Sequence, residues 1–463
     1  LQTRLGATGY EDLVASVALI RPGPIKGNMV EPFVARRRGR EPVTYLHPML
    51  EPILRKTYGV VLFQEQVIEI ATKVAGFTPG EADRLRRVMT HARHGPEMAA
   101  LGRLFVAKAV ERGVPEEAAE RIFACMEGYA SYGFCEAHAA AFADTAYRTA
   151  YLVRHHPAEF YAAVLSYQPM GYYPAGTLCV EARRRGVAVL GPDVNRSGER
   201  YLVEERPGPE GSGAGPRKAI RVSLRQVKGM ERRALEAILA ARQAGGPFRS
   251  LEDFCRRCSP PVSRDVVEAL ILVGAFDSLD PNRRRLLWRL PVALSGPSAD
   301  VLLPEQAPGG VLSGGPDGGE GPTGGIADFT LEERIRWEYE LLGFSPEHHL
   351  LGYLRPRLDA AGFVPSSALA RLRPGTPVRV AGLPVRPHRP PTRSGRTVVF
   401  VSLEDEEGLA DVTVFERVYR RYGALLFSDP CPPLAVEGRV ERRGGGTNVV
   451  ARWVGSLKEA LRA

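Results

Sequence analysis

The chain has 463 residues, room for about three domains, and its 44% hydrophobic and 25% charged residues are the proportions of an ordinary globular protein. No apolar run approaches the roughly 20 residues that span a bilayer and no signal peptide is visible; no membrane partner is expected, and the cytoplasm is. Lysine and arginine number 62 against 53 acidic residues, a net charge of +9, a moderate excess that suits a polyanionic partner.

The chain opens on Leu1, not Met, so a piece that begins inside a domain is expected. Residues 1–170 read as mostly helical. Arg21-Pro22-Gly23-Pro24 is a stiff bend that permits close backbone approach; Arg21 meets a ligand there or is an ordinary loop arginine. Arginines cluster at Arg36-Arg37-Arg38-Gly39-Arg40, Arg86-Arg87, Arg183-Arg184-Arg185 and Arg283-Arg284-Arg285, each suited to a phosphate backbone or, equally, to a solvated face. A short apolar strand over 60–63 runs into a helix headed by Gln64-Glu65-Gln66, whose polar side chains either face a nucleotide or DNA strand or merely cap the helix. Val67, Ile68, Ala71 and Val74 predict that helix over 65–75. Pro79-Gly80-Glu81-Ala82-Asp83 starts the next helix. Within it Arg86 and Arg87 point about 100° apart, so one reaches a ligand while the other packs or pairs, unless both end in surface ion pairs. The planar guanidinium fork matches phosphate oxygens. Pro115-Glu116-Glu117 starts a further helix, framed by Ala118, Ile122, Phe123 and Met126.

Tyr132-Gly133-Phe134-Cys135-Glu136-Ala137-His138-Ala139-Ala140-Ala141-Phe142-Ala143 is a glycine turn feeding a helix of small residues. His138 at its start reads as structural more readily than catalytic, the alanines as tight helix packing, and Tyr132 as a stacking ring or a core residue. Beyond 170 a helix, a glycine stop at Gly186 and a strand follow. A Gly/Pro stretch over 207–216 joins two strand-like segments, and short helices resume over 222–278. The six cysteines fit a reducing compartment. Cys255-Arg256-Arg257-Cys258 lacks the second ligand pair a zinc site needs, so no metal is expected there. Residues 308–325 hold nine glycines and three prolines, the composition of a flexible linker. A charged helix is predicted over 331–342. Residues 376–456 alternate as short strands, at 378–380, 397–401, 411–415 and 448–451, which suggests a small barrel. Glu404-Asp405-Glu406-Glu407 between them reads as a solvated turn. No Walker loop, H-E-x-x-H, nucleophile elbow or Rossmann fingerprint occurs.

Taken together, Arg21-Pro22-Gly23-Pro24, Tyr58-Gly59-Val60-Val61-Leu62-Phe63-Gln64-Glu65-Gln66, Leu85-Arg86-Arg87, and Tyr132-Gly133-Phe134 followed by His138-Ala139-Ala140 stand in an order that resembles the bacterial C-family DNA polymerases, the alpha subunits of DNA polymerase III. His155-His156-Pro157-Ala158-Glu159-Phe160 and Gln168-Pro169-Met170-Gly171-Tyr172-Tyr173 resemble that family's error-prone, damage-inducible branch. The resemblance implies a multidomain α+β protein: helical fingers over 1–170, a duplex-binding region with helix-hairpin-helix elements over 171–290, a linker over 291–330, a helical connector over 331–375 and an OB-fold over 376–456. OB-folds commonly bind single strands through a basic groove and aromatics.

It also implies template-directed DNA synthesis, as in translesion repair, with DNA and dNTP as partners and a sliding clamp reached indirectly through accessory mutagenesis proteins. No clamp motif is evident; the nearest stretch, 306–312, lacks its aromatic. Arg86 and Arg87 match the arginines that hold the incoming triphosphate, and Arg21, Gln64, Gln66 and His138 belong to the same nucleotide region. Helix-hairpin-helix turns bind phosphate through backbone N–H groups, which singles out Lys228 and Gly229 for DNA. Gly274 closes the second element, unless it is a plain helix C-cap. Glu231 stands where the first turn usually has a second glycine, and a carboxylate there is unfavourable to phosphate. The Mg²⁺ ions of nucleotidyl transfer are held in this family by palm aspartates, upstream of Leu1, and the family's PHP domain is absent as well. The chain alone is therefore expected to bind without polymerising, with no catalytic residue of its own. Two other readings stay open: a stand-alone DNA-binding module, and a fragment of a replicative polymerase.

Overall fold

The computed structural model describes residues 1–20, 29–91, 95–129, 134–171, 173–207, 217–295, 326–390, 392, 395–443 and 446–462. It divides into two compact units, Leu1–Leu152 and Val153–Ala463. The helix Glu136–His155 spans that boundary.

The first unit is helical, as its apolar spacing predicts. Gln64–Lys73, Pro79–His91, Pro96–Glu111 and Glu116–Tyr129 pack around fully buried Ile70, Leu85, Phe105 and Ile122. The second of these helices starts where proline and acids predict, and its start is a reciprocal cap. Thr78 N donates to Glu81 Oε2 at 2.8 Å and Glu81 N donates to Thr78 Oγ1 at 3.3 Å. A second core gathers Leu5, Leu19, Phe33, Leu62, Phe63, Phe134, Ala139 and Ala143. Phe63 and Phe134 form an isolated parallel bridge, so the small-residue helix is seated on the short apolar strand. Ala139 and Ala143 are fully buried there, the close packing their size allows.

The second unit opens with a small sheet. Strands β1 (Ala188–Leu190) and β2 (Leu202–Arg206) flank β3 (Arg217–Arg221), the first parallel to it and the second antiparallel. Helices Arg232–Gly245, Leu251–Arg257, Arg264–Leu272 and Arg283–Ser295 follow and share the sheet's core, in which Phe248, Phe254 and Phe276 stack edge to face. The helix Leu331–Leu342 has the predicted bounds and is capped reciprocally by Thr330 and Glu333.

The last region is a closed five-stranded barrel. Strands β4 (Pro377–His388), β5 (Val398–Glu404), β6 (Leu409–Phe415), β7 (Leu434–Arg443) and β8 (Gly446–Ser456) close in the order β4-β5-β6-β8-β7. The helix Glu416–Leu426 is inserted between β6 and β7, giving the OB-fold arrangement expected of 376–456. Sequence reading found β4, β5, β6 and β8 but missed β7 and this helix.

One expectation is corrected here. The acidic turn is not solvated: Glu404 and Asp405 are buried. Asp405 accepts hydrogen bonds from Ser366 N and Oγ, both at 2.6 Å, from Glu407 N at 2.9 Å and from Gly408 N at 2.8 Å. Arg355, on the helix Leu350–Ala360, pairs with Glu406. The turn fastens the barrel to the helical connector, and the four donors that Asp405 gathers offset the cost of burying its charge.

Candidate nucleic-acid interface

Arg86 and Arg87 lie on Pro79–His91 and both turn toward one carboxylate. Arg86 Nη2 is 2.9 Å from Asp83 Oδ1 and Arg87 Nε 3.1 Å from Asp83 Oδ2. Of the two expectations, the helix shows the surface ion pairs: i+3 and i+4 positions both lie beside Asp83. Their side chains are 29% and 63% exposed, so each keeps a face to solvent.

Gln64 and His138 are brought together around Phe134. Gln64 N donates to Phe134 O at 3.0 Å, and the His138 ring stands edge-on to Phe134 at 5.3 Å and to Phe142 at 4.8 Å. His138 is exposed and lies between buried Phe134 and exposed Phe142. Gln66 is a different case. It is 2% exposed; its Oε1 accepts from Leu62 N at 2.8 Å and Phe63 N at 3.0 Å, and its Nε2 donates to Thr57 Oγ1 at 2.8 Å and Ile53 O at 3.3 Å. That amide braces the strand-to-helix turn, and its bonding capacity is spent inside the protein, which corrects its expected place against a nucleotide. Arg21, Tyr132, Gly133 and the 306–312 stretch lie outside the described residues.

The helix-hairpin-helix turns also differ from each other. Lys228 and Gly229 are exposed; Gly229 has φ +84 and open space where a Cβ would stand, a conformation that favours glycine. The turn is anchored by Lys228 N to Leu341 O at 2.8 Å and Gln226 Nε2 to Leu342 O at 2.7 Å. Glu231, exposed, heads the helix Arg232–Gly245. At the second turn, Gly274 N is bonded to Ile271 O at 3.0 Å, and a Cβ would run into the Asp277–Arg283 pair. Gly274 ends a helix under close packing, so of its two readings the structure favours the C-cap over the phosphate contact.

In the other arginine clusters several side chains are paired within the protein, while Arg38, Arg40, Arg184 and Arg185 stay exposed. Arg283 is buried against Asp277 and Glu338, Arg284 pairs with Glu333 and Arg285 with Asp280. Arg183 donates to Ser345 and Pro346 carbonyls, and Arg37 makes a two-pronged pair with Asp12 whose carboxyl it holds well below the usual range. Burial pushes the thiols of Cys255 and Cys258 up to about 11 and about 12, which disfavours the thiolate form that acts as a nucleophile. Among the described residues no group of three or more His, Cys, Asp or Glu side chains converges as a metal site needs, so a Mg²⁺ pair finds no fit among them.

The barrel carries a feature that sequence reading missed. A groove of about 600 Å³ lies across β5 and β6, with Arg386 and His388 at its β4 rim. Phe400 and Phe415 line it at 46% and 44% exposure. The β4–β5 register slips between Val385 and His388, and Arg386 sits in that bulge at φ 35; bulges re-aim side chains, and this one lies at the groove mouth. The signal was present: Val399, Val401, Val412 and Val414 face the barrel core, so Phe400 and Phe415 are aromatics on the outward phase of their strands.

Comparison with known proteins accords with this geometry. Residues 1–113 match the bacterial DNA polymerase III alpha subunit finger domain, and residues 186–286 a helix-hairpin-helix motif. Proteins named error-prone DNA polymerase are similar along nearly the whole chain. That of Symbiobacterium thermophilum is 57% identical over 97% of this chain and 43% of its own length. That of Anaeromyxobacter dehalogenans is 41% identical over 97% and 38%, and that of Mycobacterium bovis 38% identical over 99% and 40%. The chain thus carries DNA polymerase III alpha finger and helix-hairpin-helix domains, and it spans less than half the length of the curated relatives it matches. Among the described residues no helix is long and apolar enough to cross a membrane.

Proposed function

We propose that the chain is the nucleotide- and DNA-engaging portion of an error-prone, template-directed DNA polymerase of the bacterial cytoplasm, used in translesion synthesis during DNA repair. The observation that carries the DNA-binding reading is the barrel groove, with exposed Phe400 and Phe415 between Arg386 on one side and Asp411 and Glu441 on the other; exposed rings in a groove are the stacking chemistry of a single-strand platform. The names of the relatives support the polymerase reading. Arg86 and Arg87 exchange Asp83 for the triphosphate of an incoming dNTP, with Gln64 and His138 beside the site. The Lys228–Gly229 turn holds duplex phosphate, and the groove takes the single strand. Mg²⁺ and the carboxylates that hold it belong to the catalytic part of such an enzyme, so these 463 residues bind without polymerising. A sliding clamp is reached through accessory proteins.

The test is single-strand affinity of the chain by fluorescence anisotropy, before and after Phe400→Ala with Phe415→Ala. Stacking is worth about 1–3 kcal/mol per base, so the double variant loses about tenfold or more. Unchanged affinity in a folded double variant refutes the groove as the site.

A further inference from the structure

The groove has two chemically unlike sides. His388 on β4 stands opposite Phe400 on β5, and Phe400 opposite Thr413 on β6; on the other pair of strands Asn448 on β8 stands opposite Glu441 on β7. Thr413 is in register with Val450 on β8, two residues on from Asn448, and its Oγ1 donates to Asn448 Oδ1 at 3.1 Å, which links the two pairs across the groove. In a neighbouring row Ser402 faces Asp411, with Ser402 Oγ donating to Asp411 Oδ1 at 2.6 Å. Arg386 and His388 therefore mark the β4 side, and the carboxylates Asp411 and Glu441 mark the β6–β7 side. Phe400 lies between them.

A polyanion cannot lay its phosphates on both sides. A carboxylate beside a phosphate is a like-charge contact, unfavourable wherever water is partly excluded. The backbone of a bound strand must then run along the Arg386 and His388 side. Its bases extend over the phenylalanines, and their hydrogen-bonding edges reach Asp411 and Glu441. Ionised carboxylates accept hydrogen bonds and cannot donate them. They suit the exocyclic amine of cytosine and of adenine or guanine, whereas thymine has no amine and offers a single N–H flanked by two carbonyl oxygens.

We propose that the groove discriminates among bases, taking amino-bearing bases over thymine, with Asp411 and Glu441 as the specificity-determining residues. The proposal rests on the groove's being a single-strand site. The experiment uses the whole chain at neutral pH and two labelled oligonucleotides of equal length, one all thymine and one alternating thymine and cytosine. The alternating strand is expected to bind about fivefold tighter or more. Asp411→Asn with Glu441→Gln should remove that ratio while keeping or improving the affinity for thymine, and Glu441→Gln alone, which leaves the Ser402–Asp411 bond in place, should reduce the ratio. Equal binding of both strands by the unaltered chain overturns the preference, and a ratio that persists in the carboxylate variants overturns the role of Asp411 and Glu441; either result leaves the single-strand reading standing. Failure to bind either strand overturns the single-strand reading itself.

Discussion

Two arginine runs look alike on paper and are built oppositely. Arg283 heads its helix with a side chain 6% exposed, held by Asp277 Oδ2 at 2.8 Å, Leu272 O at 2.9 Å and Glu338 Oε1 at 3.3 Å. Burial pushes the carboxyls of Asp277 and Glu338 up, and the arginine opposes that rise. Arg86 and Arg87 instead meet Asp83 at the surface. A buried ion pair cannot trade its partner without stranding a charge in a poor dielectric. A surface pair is worth little and can be exchanged for a better anion. The meaning of an arginine run thus depends on how far its carboxylates are removed from water.

The sharpest way to break that contrast is to truncate both. Arg283→Ala should cost the second unit about 3–5 kcal/mol, the penalty for leaving Asp277 and Glu338 buried without their cation. Arg86→Ala should change stability by no more than about 0.5 kcal/mol; chemical denaturation of the two variants checks both, and similar losses would erase the distinction. Next in size is the functional counterpart. In a polymerase that includes the catalytic part found in the relatives, Arg86→Ala should raise the KM for dNTP about tenfold or more, since hydrogen bonds to charged groups are worth about 1.5–3 kcal/mol. DNA affinity should hold, and unaltered nucleotide kinetics would leave the arginine pair without its assigned role. Smaller again is Lys228→Ala at the exposed hairpin, which should lower the salt slope of duplex binding by about 1, whereas Arg284→Ala, on the inward-turned run, should leave that slope alone.

The smallest effect concerns acid. Lys108, with help from Thr78, holds the Glu81 carboxyl down to about 2 from its ordinary 4.5. A lowered folded value means the cap stabilises the first unit in full above about pH 4.5 and is lost as pH falls toward 2. Glu81→Gln should flatten the helicity profile of that unit across the same window, measured by circular dichroism.

Much of the helical frame was legible because its signals are local: proline and acids at 79–83, apolar spacing over 65–75, and the charge-rich run over 331–342. The barrel strands showed through alternation, but β7 did not, because Glu437, Arg439, Glu441, Arg442 and Arg443 dilute its apolar phase. The site was harder to read. Gln66 looks polar and available in sequence, yet its four bonds go to residues at 53, 57, 62 and 63 that converge only on folding. Asp405 looks solvated because nothing in its neighbourhood announces Ser366 or Arg355, which are distant in sequence. Phe400 and Phe415 were visible as residues, but their importance depends on which face of the strand looks inward.

The Asp405 turn has a mechanical consequence. It joins β5 to β6, the strands that present Phe400 and Phe415, and it is tied by one carboxylate to Ser366 and through Glu406 to Arg355. A nucleic-acid strand drawn under tension across that face pulls on the two strands and so loads this turn. The load passes from there into the helix Leu350–Ala360. The barrel is in that sense a handle on the rest of its unit, and Asp405 is one pin of that handle, beside the packing of Leu351, Leu358 and Phe363 against Ala381, Ala435 and Leu457.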